Sequence, residues 1–362
     1  MKAIAEAETV STPGKHEGSS RTVRVAVAGA TGYAGLELLR LLSRHPKVRV
    51  TRLMSSGRDG KKEFPIEESH PSLLGKFSVP CQPLSVEALP PSEVDVVFLA
   101  TPHQTALETA PQLLERKLRV VDLSAAFRLK NAAAYPRWYG FEHNAHERLE
   151  EAVYGLTELN SANISKAGLV ANPGCYATSV ILALAPAMQK GWIDIGAGIV
   201  ADSKSGASGA GRGVSEKLHF VEVNENCRAY GLFNHRHVPE MLQELDLAEK
   251  NFVFTPHLLP ITRGILSTIY VRLSKSCAPE EVVALYRDFY AGAPFVRVLE
   301  AGEPEIQSVA HTNYADIGFA LDAEGTRMII VSALDNLIKG AAGQAIQNMN
   351  VMYGFAEGTA LI

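Results

Sequence analysis

Residues 23–42 decide the fold: VRVAVA (23–28), GATGYAG (29–35) and LELLRLL (36–42). The first six are apolar and β-branched and end at a glycine, the pattern of a strand buried in a parallel sheet. Leu36, Leu38, Leu39, Leu41 and Leu42 then recur at helical spacing until Pro46 stops the helix. Between them the chain must turn tightly, and Gly29, Gly32 and Gly35 stand at GxxGxxG spacing. With no Cβ in the way, backbone N–H groups of this turn, which also holds Thr31, Tyr33 and Ala34, approach a pyrophosphate, and the helix N-terminus adds partial positive charge. The order strand, turn, helix favours a dinucleotide over an empty tight turn.

Residues 48–54, 95–100, 119–123 and 169–171 read as further strands, with helical stretches such as 105–117 between them. Strands alternating with helices predict an α/β fold with a Rossmann-type, doubly wound parallel sheet. After Trp192 the texture changes. Residues 199–203 are apolar and run into a Gly/Ser/Ala-rich loop through Gly213, whereas 252–259, 264–273 and 295–299 alternate like strands of a mixed or antiparallel sheet, 328–333 reads as another strand, and 279–290 as an amphipathic helix. These form an α+β second domain. Residues 335–352 read as one long helix with Gly340, Ala341, Gly343 and Ala345 on one face.

The 362 residues carry 35 Lys+Arg against 39 Asp+Glu, a net charge of -4, with 46% hydrophobic and 20% charged residues. That composition supports about two folded domains and speaks against a basic nucleic-acid footprint. No apolar run reaches the ~18 residues of a membrane span. Cys81, Cys175, Cys227 and Cys277 form no CxxC pair, so neither a metal site nor a disulfide scaffold is expected, and a reducing, cytoplasmic setting is. Residues 1–21 hold Glu6, Glu8 and Glu17 and no apolar signal core, and are expected to be a flexible leader.

Two stretches carry the chemistry. The second strand ends Met54-Ser55-Ser56-Gly57-Arg58, followed by Lys61 and Lys62. Hydroxyls and a guanidinium, with no acid for a ribose 2′-OH, suit a 2′-phosphate, so NADP is the expected cofactor. Cys175 follows Asn172-Pro173-Gly174 and opens a helix over 176–189. A helix N-terminus lowers a thiol pKa from about 8.5, which makes Cys175 the candidate nucleophile and leaves the other cysteines as core filler. Its proton partner is open among His219, His235 and His237. The loop SKSGASGAGRG (203–213), with Lys204, Ser205, Ser208 and Arg212, suits an anionic group. A dinucleotide domain with a cysteine nucleophile points to aldehyde/acyl chemistry through a thioester.

Read together, GATGYAGLELLRLL (29–42), DLSAAFRL (122–129), WYGFEH (138–143), AVYGLTEL (152–159), NPGCYAT (172–178), SKSGASGAGR (203–212) and DNLIKGAAGQAIQNMN (335–350) resemble the N-acetyl-gamma-glutamyl-phosphate reductase family. The plan is similar to the wider aspartate-semialdehyde and glyceraldehyde-phosphate dehydrogenase group. The resemblance spans residue 22 to the C-terminus. It implies an NADPH-dependent acyl-phosphate reductase of arginine biosynthesis, cytoplasmic and homo-oligomeric (dimer or tetramer), with a small acyl phosphate as substrate and no nucleic-acid or membrane partner. It implies Cys175 as nucleophile and His219 as acid/base, with Glu222 beside it. Asn336, Ser205 and Gly206 fall to the cofactor, and Ser124, Arg128, Asn172, Ser208, Arg212 and His237 to the substrate. The chain departs from the family pattern at Ala126 and Gln104.

The same resemblance implies a discontinuous Rossmann domain (22–174 and 335–362) closed by the last helix, around a catalytic domain (175–334). Rival readings are a reductase of aminoadipyl phosphate in carrier-linked lysine biosynthesis, which the same catalytic residues serve, and a non-catalytic NADP-binding redox sensor.

Overall fold

The computed structural model describes residues 22–56 and 63–362, so the expected leader and Arg58 lie outside the described residues. The first sheet contains β1 (Val23–Ala28), β2 (Val48–Ser55), β3 (Cys81–Pro83), β4 (Val96–Leu99), β5 (Arg119–Asp122), β6 (Val153–Tyr154) and β7 (Leu169–Ala171). Its order is β3-β2-β1-β4-β5-β7-β6, and every pairing is parallel. Both faces are covered, which is why the central strands β1 and β4 are almost wholly apolar. Val25 and Val27 of β1 pack with Leu38 and Leu39 of α1 (Tyr33–Leu42), whereas Ala26 and Ala28 face Leu107 and Leu113 of α2 (His103–Glu115). Strand order reverses between β1 and β4, and a crevice opens at such a switch point beyond the carboxyl ends of the strands.

The second sheet contains β8 (Ile199–Gly206), β9 (Arg228–Ala229), β10 (Phe252–Leu259), β11 (Ile265–Arg272), β12 (Val296–Val298), β13 (Ala315–Leu321) and β14 (Arg327–Leu334). It is mixed, in the order β12-β13-β14-β11-β8-β10-β9. One face lies on α3 (Cys175–Gln189), apolar on nearly every side and buried from Tyr176 to Ala187. Between helix and sheet, the buried hydroxyls of Ser179, Ser203, Ser267 and Ser332 satisfy one another at 2.7–3.2 Å. Alongside lie α4 (Val238–Glu244) and α5 (Pro279–Phe289).

The strands expected at 23–28, 169–171 and 252–259 have the observed limits, and the other strands read from the sequence shift by a residue or two at an end. The apolar run 199–203 belongs to β8, which continues to Gly206 through residues read as the start of a loop. The pattern misses β3, β6, β9 and β13. The long C-terminal helix is broken: Ile338–Ala342 is a single π-helical turn and only Gly343–Met352, α6, is α-helical. Gly340 N–H donates to Asp335 O and Ala342 N–H to Leu337 O, both at 2.9 Å, the five-residue step of a π turn. Ala345, Ile346, Met349 and Met352 then enter the same core as Val25 and Leu38. Lys339, fully buried, pairs there with Glu158 at 2.5 Å.

Candidate active site

Strand β7 runs into Asn172-Pro173-Gly174, and Gly174 caps α3 with φ -70° and ψ 144° and no side-chain cap. The cap residue is held from α4. Glu240 is fully buried, and its Oε2 accepts the Gly174 N–H at 2.9 Å and the Tyr154 hydroxyl at 2.8 Å. Its Oε1 accepts Arg128 Nη1 at 3.0 Å. Arg128 in turn donates through Nε to the Asn172 carbonyl and through Nη2 to the Leu123 carbonyl. One buried ion pair thus holds the strand end, the turn and the start of α3 together. Sequence reading missed Glu240, because its partners lie 66 to 112 residues away in the chain.

Cys175 begins α3 and is half-buried. Two glycines let other groups close on it. A methyl at Gly340, in the π turn, would lie 2.6 Å from Cys175 Cβ. A methyl at Gly174 would lie 2.5 Å from His237 Nε2, so the imidazole rests directly on the residue before Cys175. His237 is buried, and its Nδ1 has no hydrogen-bond partner. Burial, then the charges of His235, Arg128 and Arg236, push the His237 pKa well below the usual imidazole range, so the ring is neutral at pH 7. Burial also pushes the Cys175 thiol up, against the Tyr176 N–H and the guanidiniums of Arg128 and Arg236, which favour thiolate. The expected lowering by the helix N-terminus is therefore outweighed by desolvation. A neutral thiol beside a neutral imidazole can react as a nucleophile and general base.

The other expected site residues sort by position. His219 is exposed at the start of the four-residue helix Phe220–Val223, with Glu222 exposed beside it, and none of the described contacts joins either to Cys175. Asn172 spends its side chain on Ala341 O and Asn348, and Ser124 spends its hydroxyl on Asp122, whose pKa burial raises to about 6. Asn336 joins Ser208 Oγ at 3.0 Å to the Gly264 N–H at 2.8 Å, beside Ser205 and Gly206 at the end of β8. Arg212 reaches across to the glycine turn, donating to the Thr31 carbonyl at 2.9 Å. Ser55 is buried at the end of β2, and Ser56 is exposed after it.

The turn fits a dinucleotide. Gly29 has φ +85°, and a methyl there would lie 2.2 Å from the Ala100 carbonyl oxygen; one at Gly35 would lie 2.3 Å from the Gly29 carbonyl oxygen. These two glycines are demanded by the packing of β1, β4 and α1. Gly32 has room, caps α1 and carries no side-chain cap, which leaves the first-turn N–H groups of Tyr33, Ala34 and Gly35 for a phosphate. Tyr33 is 38% exposed at the same edge. A groove lined by Val23, Asp95, Arg119 and Tyr353 lies at the amino ends of the same strands, away from this chemistry.

Fold and site define a dehydrogenase of the semialdehyde dehydrogenase class. Residues 24–167 match the family model described as semialdehyde dehydrogenase, NAD binding domain, and residues 175–336 the one described as semialdehyde dehydrogenase, dimerisation domain. Aspartate semialdehyde dehydrogenase II from Vibrio cholerae, solved with ASA, shares the fold with a TM-score of 0.69 at 18% identity, over 92% of this chain and 98% of that one. The aspartate semialdehyde dehydrogenase from Candida albicans, solved with NADP, does so at 0.65 and 18%, over 91% and 98%.

More particularly, the chain belongs to the N-acetyl-gamma-glutamyl-phosphate reductase family of oxidoreductases. It is 49% identical to the reductase of that name from Pelotomaculum thermopropionicum over 94% of this chain and 97% of the relative. It is 51% identical to the one from Desulfotalea psychrophila over 92% and 96%. Among the described residues, no helix is long and apolar enough to cross a membrane.

The Glu240 assignment is testable by stability. Glu240→Gln strands the Arg128 guanidinium in the interior and is expected to cost about 3–5 kcal/mol in urea unfolding. Arg128→Met/Glu240→Gln together should cost less than the sum of the single changes, and strict additivity would contradict a direct pair.

Proposed function

We propose that the protein reduces N-acetyl-L-glutamyl 5-phosphate to N-acetyl-L-glutamate 5-semialdehyde with NADPH, releasing phosphate, in cytoplasmic arginine biosynthesis. The reading is carried by the neutral His237 imidazole seated on Gly174 beside Cys175, in a chain about half identical to reductases of that name.

His237 takes the Cys175 proton as the sulfur attacks the γ-acyl carbon. The C–S bond forms, the C–O bond to the phosphoryl group breaks, and the departing phosphate takes a proton from solvent. NADPH, when bound at the glycine turn, supplies the hydride that reduces the thioester. His237 returns its proton to the oxygen of the resulting thiohemiacetal and recovers it as the aldehyde leaves and the sulfur departs, after which Cys175 is reprotonated. Glu240 and Arg128 act as positioning residues, since each touches the turn and neither the thiol. The acid/base is therefore assigned to His237 and not to the exposed His219. Ser56 just after β2, with Arg58, Lys61 and Lys62 following in the sequence, supports NADP over NAD.

The uncovered face of the mixed sheet fits a second copy of the chain. Val253, Val200, Tyr270 and Ile329 stand in register across β10, β8, β11 and β14, and are 36, 39, 44 and 37% exposed. A contiguous apolar row of this kind marks an interface, and it falls in the half matched by the dimerisation-domain model. Tyr270→Glu should sediment as a monomer where the unaltered protein sediments as a dimer or tetramer; an unchanged mass contradicts this face.

The reaction is tested by phosphate-dependent reduction of NADP⁺ with N-acetylglutamate 5-semialdehyde, beside the aminoadipate analogue and beside NAD⁺. The N-acetylglutamate compound with NADP⁺ should give the highest kcat/KM. Cys175→Ser should remove nearly all turnover while sparing NADPH binding. His237→Asn should lower kcat about 10²–10⁴-fold, the usual worth of a general acid/base, with His219→Asn near normal. The reverse ranking of the two histidines overturns the assignment.

A further inference from the structure

Two groups beside the His237 imidazole have no part in the chemistry above, and they face each other. Arg236 stands between His235 and His237, the buried imidazoles beside the nucleophile turn, yet its own side chain is exposed. Its one described contact runs 3.5 Å from Nη1 to His103 Nε2. His103 is the first residue of α2, just beyond the end of β4 at the switch point. Its Nδ1 accepts the Ala125 N–H at 3.2 Å, which places the proton of a neutral ring on Nε2. The ring is neutral, because burial and the charges of Arg236 and Arg128 bring its pKa down to about 4. The Arg236–His103 contact therefore sets a donor against a donor and is not a hydrogen bond.

Two converging donors, one cationic, are satisfied together by an anionic oxygen. The other arginines expected at the substrate are committed elsewhere: Arg128 to Glu240 and two carbonyls, Arg212 to Thr31. Arg236 is close enough for its charge to favour the Cys175 thiolate.

We propose that Arg236 and His103 form the site for the phosphoryl group of the acyl phosphate, holding it while Cys175 attacks and holding inorganic phosphate in the reverse direction. The inference rests on the acyl-phosphate reading above and adds the residues that recognise the leaving group. A guanidinium offers a phosphoryl group two parallel N–H donors, and the His103 Nε2–H supplies a third from the opposite element.

The test is the reverse reaction at varied inorganic phosphate. Losing a hydrogen bond to a charged group costs enough for the phosphate KM of Arg236→Gln to rise about 10- to 100-fold, with the semialdehyde KM within about 3-fold of normal, the range of ordinary context effects. Arg236→Lys, which keeps the charge and loses the fork, should fall between. Inorganic phosphate should also protect Cys175 from iodoacetamide in the unaltered protein and fail to do so in Arg236→Gln. A raised semialdehyde KM with an unchanged phosphate KM would make this a substrate-carboxylate site and overturn the proposal. If the unaltered protein shows phosphate-dependent turnover and Arg236→Gln keeps its phosphate KM, this inference alone fails. If the unaltered protein shows no phosphate-dependent turnover, the reaction reading fails and takes this site with it.

Discussion

The carboxylate of Glu240 is the constraint on which the site depends. It is fully buried and brings Arg128, Tyr154 and the Gly174 N–H onto two oxygens. A buried charge is costly unless paired and hydrogen-bonded, and the bonds that satisfy this one fix the turn before Cys175. The same α4 that carries Glu240 is preceded by His237, so satisfying the carboxylate also delivers the imidazole to Gly174. The π turn closes the opposite side, where Gly340 admits Cys175 Cβ at a distance no side chain allows.

The protonation state of the proposed pair, Cys175 and His237, follows from that enclosure. Desolvation disfavours both thiolate and imidazolium, so the resting state is thiol and neutral imidazole, despite the helix N-terminus and two nearby guanidiniums. In the proposed mechanism, proton transfer is then coupled to attack on the substrate rather than completed beforehand. The two halves of the chain also meet through charge. Arg263, from the loop between β10 and β11, reaches both Glu37 of α1 and Asp335 before the π turn.

Much of the fold was legible because it repeats local rules. Apolar β-branched runs became parallel strands, and Gly29 and Gly35 sit where backbone packing forbids a Cβ. What was hidden depends on distant partners or on length. Strands β3 and β6 have three and two residues, too few for any periodicity. The π turn inserts one extra residue per turn into a pattern read at 3.6. Cys175 stood out by its place at a helix start, but the upward shift of its thiol depends on burial by segments far away in sequence. Asn172, Ser124 and Arg128 have the residue types of substrate binders, yet their polar atoms are engaged inside the fold. Glu240 looked like one helix carboxylate among many until its partners converged.

The central claim, an uncharged cysteine–histidine pair held by the Glu240 carboxylate, is tested most directly by the pH dependence of Cys175 alkylation with iodoacetamide in the free protein, read by mass at that cysteine. The account predicts a rate that keeps climbing through pH 8.5, the ordinary thiol value, with no plateau near neutrality. A plateau reached by pH 6–7, the mark of a preformed thiolate–imidazolium pair, would contradict it.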